Sequence, residues 1–204
     1  MIVMRKQISA IERLRELPPL FRGADLTTRF QWDSKTVSQY LYLWKNRNLV
    51  QSLGGHSDVF ANVLTSANPN WEKALLMAMP SAVIIGIEVL RRAGWTTQIP
   101  TRPCVAVNPK HPVFNTDWFD VQARPLSWFV TVAAGIIQEG ALPMLAPAWA
   151  LADMLKQDGW GKCGLWPDDL DLVENAQDQA DWQAACLAFE LPEARLLDQS
   201  VPSR

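Results

Sequence analysis

Residues 25–63 read DLTTRFQWDSKTVSQYLYLWKNRNLVQSLGGHSDVFANV, and this stretch has the clearest structural pattern in the sequence. Asp33 and Ser34 are both preferred N-cap residues, so they predict that a helix begins here. Apolar side chains then recur at the spacing of one helical face, at Val37, Leu41 and Trp44. The pattern indicates an amphipathic helix whose apolar stripe packs against the rest of a domain.

The opposite face of this helix is polar and has no acidic residue. The side chains on it are Lys35, Ser38, Gln39, Tyr42 and Lys45. A helix that is apolar on one side and rich in hydrogen-bond donors on the other is suited to the major groove of DNA. The plainer interpretation is the ordinary solvated face of a surface helix.

The elements around this helix have the order typical of a winged helix-turn-helix domain. We expect a first helix at Ile8–Leu17 and a short second one at Ala24–Phe30. Two short strands are predicted after the amphipathic helix, at Leu49–Leu53 and Val59–Val63. Between them, Gly54-Gly55-His56-Ser57 is typical of a hairpin turn, because glycine readily adopts a positive φ. The sequence therefore predicts a winged helix-turn-helix DNA-binding domain over residues 1–66.

Candidate DNA contacts follow from this prediction. Basic side chains position a protein on phosphates, whereas amide and hydroxyl groups read base edges. We assign phosphate contacts to the basic residues Arg29, Lys45 and Arg47, and base contacts to Ser38 and Gln39. The other candidate DNA-binding residues are Ser34, Lys35, Thr36, Tyr42 and, at the tip of the hairpin, His56. Trp32, in the turn before the helix, is expected to fill the core rather than to stack on a base.

Charge is distributed unevenly along the chain, although the net charge is only −2. Residues 1–65 hold nine Lys/Arg and five Asp/Glu, which gives a net charge of +4. The remaining residues hold ten Lys/Arg and sixteen Asp/Glu, which gives −6. A basic first part followed by an acidic second part fits a nucleic-acid contact joined to a separate second role.

A polar linker at 65–70 contains a proline, and it predicts a boundary before a second domain at 71–204. Helices are predicted at Trp71–Met79, Ser81–Ala93, Ala146–Lys156 and Asp181–Glu190, and another is predicted to begin at Asp168. Strands are predicted within Gln98–Asn108, at Phe119–Ala123 and at Trp128–Val132. We therefore expect an α+β chain, in which a winged helix-turn-helix domain precedes a helix-rich α+β domain.

The second domain has few residues that suggest catalysis. A nucleotidyltransferase-like domain needs closely spaced carboxylates on its central strand to hold Mg²⁺, and Cys104–Val107 has none. The densest acidic groups are Asp117 with Asp120 and the run Asp168, Asp169 and Asp171, and this run suits a helix start. Three widely spaced cysteines and two histidines form no recognisable metal-binding set. We expect no enzyme, no metal and no cofactor, with a divergent or inactive nucleotidyltransferase-like protein as the alternative.

The sequence predicts neither a membrane span nor a signal peptide. Ser81–Leu90 is apolar, but it has only about half the length that a bilayer requires, and Arg91-Arg92 ends it. The three cysteines are expected to stay reduced. We expect a cytoplasmic protein without a membrane partner.

The order of a winged helix, then Ser81–Val107, then Leu142–Leu155 resembles the AbiEi-type antitoxins of bacterial type IV toxin–antitoxin systems, and the resemblance covers most of the chain. In that family a helix with a central glycine leads into a turn of the type GLT-Q-P and a strand, similar to Ser81–Val107 with its turn at Gly94–Pro100. A later helix of the type LP-SPERALLDLL is similar to Leu142–Leu155, in which Ala146-Pro147-Ala148-Trp149 replaces the usual Ser-Pro-Glu-Arg. The run Pro167–Leu170 also fits the family pattern.

This resemblance implies a transcriptional repressor of its own operon that opposes a nucleotidyltransferase-like toxin. The first domain would bind inverted repeats in double-stranded DNA at its own promoter, and the second would supply the antitoxin activity. The residues of the first domain leave one further alternative, a winged-helix module that binds proteins instead of DNA.

Overall fold

The computed structural model describes residues 9–110, 113–173, 175–192 and 196. The chain divides into two compact units, residues 1–80 and residues 81–204. The described residues form eight α-helices, two short 3-10 helices and two β-sheets. The predicted α+β class is therefore confirmed. Among the helices in this described part of the chain, none is both long and apolar enough to cross a membrane.

The first unit alternates helices with the strands of one small sheet. Its elements are α1 (Ala10–Arg15), β1 (Leu20–Arg22), α2 (Gly23–Phe30), α3 (Ser34–Asn46), β2 (Val50–Ser52), β3 (Val59–Asn62) and α4 (Trp71–Ala78). The strands lie in the order β1-β3-β2, and both pairings are antiparallel. The sequence does not predict β1, because a strand of three residues depends on pairing with a distant segment. The predicted start of the first helix at Ile8 lies outside the described residues.

Aromatic side chains fill the core of the first unit. Trp32 is buried and stacks on Tyr40, with ring centroids 4.2 Å apart. The buried ring of Trp44 has its centroid 6.1 Å from that of Trp32 and 5.6 Å from that of Tyr40. Phe21 stacks on Phe60 and so joins β1 to β3. The prediction that Trp32 belongs to the core is confirmed.

Helix α4 belongs to the first unit, although the predicted linker at 65–70 precedes it. The side chain of Asn70 caps α4 by accepting a hydrogen bond from the backbone N–H of Lys73. The helix packs on β3, and the guanidinium of Arg22 donates to the carbonyl of Met77. These contacts explain why the first compact unit extends past the predicted linker to Pro80.

The second unit is built around a mixed sheet. Its elements are β4 (Val83–Ile85), α5 (Ile87–Arg92), β5 (Cys104–Val107), β6 (Asp120–Ala123), α6 (Leu126–Thr131), β7 (Ile136–Ile137), β8 (Met144–Leu145), α7 (Pro147–Gln157) and α8 (Ala176–Phe189). The strands lie in the order β6-β5-β4-β8-β7. The central strand β4 is antiparallel to β5 and parallel to β8. Helix α7 packs on both α5 and α8. The helices of the second unit together hold more residues than its strands.

The prediction of one helix over Ser81–Ala93 is wrong. Val83–Ile85 forms the central strand β4, and only Ile87–Arg92 is helical. Gly86 separates the two elements with a φ of 74°, in the region that glycine adopts at little cost. An apolar run of this kind suits either a buried strand or a buried helix, and pairing with both β5 and β8 decides for the strand.

The strand predicted at Trp128–Val132 is also wrong, because this segment belongs to the helix α6 and the turn after it. Pro125 precedes the first turn of α6, a position at which proline is well tolerated. Trp128 is buried and donates a hydrogen bond from its indole to Asp153 on α7. Aromatic and β-branched residues favour strands on average, and here this tertiary contact outweighs that preference.

Two other segments are shorter than predicted. Within Gln98–Asn108, only the last part, β5, is a strand, since Pro100 and Pro103 lack the N–H that a sheet requires. The helix predicted from Asp168 is a single 3-10 turn. It stops because the backbone N–H of Asp171 donates instead to the carbonyl of Trp95, at 2.8 Å.

Candidate nucleic-acid interface

Helix α3 begins where the sequence predicted. The carboxylate of Asp33 accepts a hydrogen bond of 2.6 Å from the backbone N–H of Thr36. This hydrogen bond is the main reason that the pKa of Asp33 lies below its usual value, so the cap stays ionised at the positive end of the helix. Gln31, at a φ of 56°, ends α2 in the left-handed region. Helices α2 and α3 pack against each other across this tight turn.

One side of α3 is fixed in the core of the first unit. Val37 is 8% exposed and Trp44 is 2% exposed, and Leu41 packs partly buried against the same cluster. Burial of each large apolar side chain contributes about 1.5–3 kcal/mol, so this stripe sets the rotation of the helix about its axis. The opposite side of α3 consequently faces solvent.

That solvent-facing side presents the polar residues that the sequence singled out. The exposed side chains are Lys35, Ser38, Gln39, Tyr42 and Lys45. Lys35, Gln39 and Tyr42 follow at intervals of four and three residues, so they form one row along the helix. An ammonium group, a primary amide and a phenol in one row can together bind phosphates and the edges of bases. Residues 34–46 include no carboxylate that would repel DNA.

The remaining candidates on α3 are less well placed to read bases. The hydroxyl of Ser38 donates to the carbonyl of Ser34 at 2.9 Å, which leaves only its lone pairs for a base edge. Thr36 is half-buried, and its backbone N–H is bound by Asp33. The side-chain amide of Gln39 makes no hydrogen bond within the described residues. Its N–H groups and its oxygen are therefore all available to a base. Gln39 is therefore the best-placed residue on α3 for direct base contact.

Three other predicted contact residues lie on three different elements of the first unit. Arg29 is exposed in the last turn of α2, and Arg47 is exposed at the C-cap of α3. His56 is exposed in the turn between β2 and β3. Side chains at helix ends suit phosphate contacts, which position a protein on DNA without reading its sequence.

The hairpin between β2 and β3 has the turn that the sequence predicted. Gly54 and Gly55 have φ values of 100° and 59°. Residues 50–62 include no Lys or Arg, and Asp58 at the end of the turn is paired with Arg22 at 3.1 Å. The hairpin therefore adds little positive charge, and α3 provides most of the groups that suit DNA.

Two of the acidic residues that the sequence singled out in the second unit, Asp120 and Asp169, lie beside donor groups. The carboxylate of Asp120 lies 3.7 Å from the Nε of Arg102. Asp169 accepts a hydrogen bond of 2.7 Å from the backbone N–H of Trp166, which is a capping contact. Across the described ranges, no group of three His, Cys, Asp or Glu side chains is placed to hold a metal ion.

A buried polar cluster in the second unit was not predicted as a site. It joins Arg124, which follows β6, Trp128 on α6 and Asp153 on α7. One sequence signal marks it, since Asp153 is a lone acidic residue inside the apolar run from Ala148 to Met154. The other two members come from separate segments, and only the tertiary structure brings them together.

Comparisons with known proteins do not assign this chain to a family. The sequence matches no protein-family model. A search of curated proteins also found no match. Neither comparison assigns a function to this chain.

Proposed function

We propose that the first unit is a winged-helix DNA-binding domain and that the protein is a transcriptional regulator. One observation carries this proposal: α3 exposes a row of donors without an acid while its other side is fixed in the core. A recognition helix needs this combination, because it must enter the major groove in a defined rotation. The role assigned to the chain is binding and not catalysis.

The order of elements supports the same proposal. The first unit has a helix and a strand, then two helices joined by a tight turn, then a two-stranded hairpin that completes the sheet. In helix-turn-helix domains, the second helix of the pair reads the major groove and the first crosses the backbone. By this correspondence α3 is the recognition helix, α2 is the positioning helix and the β2–β3 hairpin is the wing.

Charge supports DNA as the partner. The +4 of residues 1–65 contrasts with the −6 of the remainder, so phosphates are attracted to the first unit. Lys35, Lys45, Arg29 and Arg47 are all exposed there. If each of these four neutralises one phosphate, the logarithm of affinity falls against the logarithm of salt with a slope of about −3.6 per bound copy.

We further propose that the DNA is the promoter of the protein's own operon and that the second unit acts as an antitoxin. The sequence similarity of Ser81–Val107 and Leu142–Leu155 to AbiEi-type antitoxins supports this role, although Gly86 lies between β4 and α5 and not at the centre of a helix. The operator would contain inverted repeats, and the opposing toxin would be a nucleotidyltransferase-like protein. Such a regulator works in the cytoplasm, where bacterial DNA is located.

Fluorescence anisotropy of the full chain tests the DNA-binding proposal. The chain is titrated onto a labelled duplex from upstream of its own gene and onto a scrambled duplex of the same length, across a series of salt concentrations. We expect tighter binding to the upstream duplex and a linear salt dependence with a slope near that of four phosphate contacts per copy.

Equal weak binding to both duplexes, or none, would overturn the proposal. The exposed face of α3 would then be assigned to the binding of a protein. Leu43, which is 46% exposed on this helix, is the observation that favours this second candidate.

A further inference from the structure

A cavity of about 270 Å³ lies within the second unit, apart from the DNA interface proposed above. It is surrounded by the end of β4, the start of α5, the strands β5 and β6 and the C-terminal half of α7. The polar residues that matter for its chemistry are Glu88, Arg102, Cys104, Asp120, Arg124 and Asp153. Its apolar lining includes Ile85, Ile87 and Met154. Polar and apolar residues line the cavity in similar numbers. A concave pocket in which a few polar groups converge is typical of a small-molecule site.

The carboxylate of Asp153 is 2% exposed, and its contacts do not use all its acceptor capacity. The indole N–H of Trp128 donates to Oδ1 at 2.7 Å. The guanidinium of Arg124 lies 3.6 Å from Oδ2, which is beyond the usual range of a hydrogen bond. Burial raises the pKa of Asp153, and this effect exceeds the opposing effects of the hydrogen bond from Trp128, the charge of Arg124 and a hydrogen bond from the side chain of Gln157. An ionised carboxylate has about four lone-pair positions, so Asp153 can accept a further donor.

Arg124 has the complementary capacity to donate. Its Nη2 donates to the side-chain oxygen of Gln122 at 3.0 Å. Its Nε is buried and has no hydrogen-bond partner within the described residues. The guanidinium lies 5.9 Å from the ring centroid of Trp128, which helps to hold it beside Asp153. A buried donor without a partner is costly, and a small local movement toward a bound carbonyl would satisfy it.

The charges around the cavity are largely balanced. Asp120 is paired with Arg102 at 3.7 Å, and Asp153 lies beside Arg124. The carboxylate of Glu88 accepts from Arg91 and Arg92 at 2.7–2.8 Å, and these hydrogen bonds lower its pKa. Asp158 also lines the cavity; it is exposed and has no ion pair among the residues that the structure describes.

Cys104 adds no charge either. Burial is the main cause that raises the pKa of its thiol to about 11, so the thiol is protonated at neutral pH. A phosphate would meet the carboxylates of Asp120 and Asp153, and an amine would meet Arg102 and Arg124. The balance of charges therefore favours a neutral ligand.

We propose that this cavity binds a small neutral cyclic amide of the nucleobase class. Its N–H donates to Asp153, its neighbouring carbonyl accepts from Arg124, and the apolar side chains contact its ring. Adjacent donor and acceptor groups on one edge match a carboxylate beside a guanidinium. The volume corresponds to several water molecules, at roughly 30 Å³ for each, and is near the lower end of small-molecule pockets.

The ligand is a free base or nucleoside and not an unpaired base of a nucleic acid. Residues 81–204 hold nine Lys/Arg and fifteen Asp/Glu, which gives a net charge of −6. A phosphate backbone would be repelled by this charge, whereas a neutral base is not affected.

Thiol alkylation of the unmodified full chain tests the proposal without any variant. Cys163 lines the cavity together with Cys104, whereas Cys186 is buried elsewhere and serves as an internal control. Alkylation of each cysteine by iodoacetamide is followed by mass spectrometry with uracil, hypoxanthine or uridine present. We expect at least one of them to slow alkylation of Cys163 several-fold at saturation while that of Cys186 is unchanged.

Matched ligands separate the proposed contacts from general binding. Dimethyluracil methylated at both ring nitrogens has the shape of uracil without its N–H donors, and we expect it to give no protection. Inorganic phosphate, spermidine and a single-stranded oligonucleotide are expected to give none either. Protection by the methylated compound, by phosphate, by spermidine or by the oligonucleotide would overturn the proposal. So would a lack of protection by uracil, hypoxanthine and uridine alike.

The variant Asp153→Asn tests the carboxylate itself. It keeps the shape of the side chain and an oxygen for Trp128, but it removes the negative acceptor, so affinity for the protecting base should fall about tenfold or more. Lys156→Gln is the control, because Lys156 lies on the same helix and pairs with Glu190 away from the cavity. Unchanged affinity in folded Asp153→Asn would overturn the assignment. If this variant does not fold, the comparison of uracil with its methylated form decides.

Discussion

Replacing both Lys35 and Gln39 by alanine is expected to lower the affinity for the upstream duplex by about 30-fold or more. The two side chains lie one turn apart on the exposed face of α3. A well-formed contact between Gln39 and a base is worth about 1–3 kcal/mol, and each 1.4 kcal/mol is a factor of ten in affinity. Loss of the phosphate contact of Lys35 adds to this effect. Anisotropy titration of the full-length variant at one fixed salt concentration measures the change.

The fold of α3 should survive this double change, because alanine is the strongest helix former and both positions are exposed. Lys73→Ala is the matched control, since Lys73 is also exposed on a helix of the first unit. This substitution removes one positive charge, as the double change does. We expect the control to retain nearly the affinity of the original chain. An equal loss in both proteins would show that binding depends on net charge and not on the face of α3.

Trp44→Ala is expected to destabilise the first unit by about 3–5 kcal/mol, the usual cost of removing a buried tryptophan. The side chain is 2% exposed and is surrounded by Trp32 and Tyr40. Its indole N–H has no hydrogen-bond partner among the described residues, so the loss is one of packing and not of a polar contact. A domain of this size is stable by only about 5–15 kcal/mol, so this change removes a large share.

Hydrogen exchange of the α3 amides measures this effect in the full chain, because it reports on the first unit separately from the second. Tyr42→Ala is the control, since Tyr42 is 66% exposed two residues earlier on the same helix. We expect exchange of the α3 amides to accelerate strongly in Trp44→Ala and to change little in Tyr42→Ala. Similar exchange in the two variants would contradict the core position of Trp44.

Local signals predicted the elements of the proposed interface well. The start of α3 follows from the capping preference of Asp33, and its orientation follows from three apolar residues at helical spacing. The hairpin turn follows from Gly54 and Gly55, whose positive φ values few other residues adopt readily. Each of these signals lies within a few residues of the structure that it specifies, and a single sequence is sufficient to detect it.

Elements that depend on distant partners were not predictable in the same way. β1 has three residues, and it is a strand because it pairs with β3 some forty residues later. The apolar run Val83–Ile85 suits either a buried strand or a buried helix. It is a strand because it pairs with both β5 and β8. In both cases long-range pairing decides what local preference leaves open.

The buried cluster in the second unit illustrates the same limit for a site. Arg124, Trp128 and Asp153 lie on three separate segments, and no spacing rule connects them. Only Asp153 was visible in the sequence as an acid within an apolar helix. A site assembled from scattered residues becomes evident only when the fold has placed them around one cavity.

NMR chemical-shift mapping of the backbone amides is the most direct test of the central claim, which is that α3 contacts DNA. The isotopically labelled full chain is titrated with the upstream duplex, and shift changes are followed residue by residue. We expect the largest changes at residues 34–47, with smaller changes at Arg29 and at His56. Changes that are absent from α3 and concentrated in the second unit, or no changes at all, would contradict this claim.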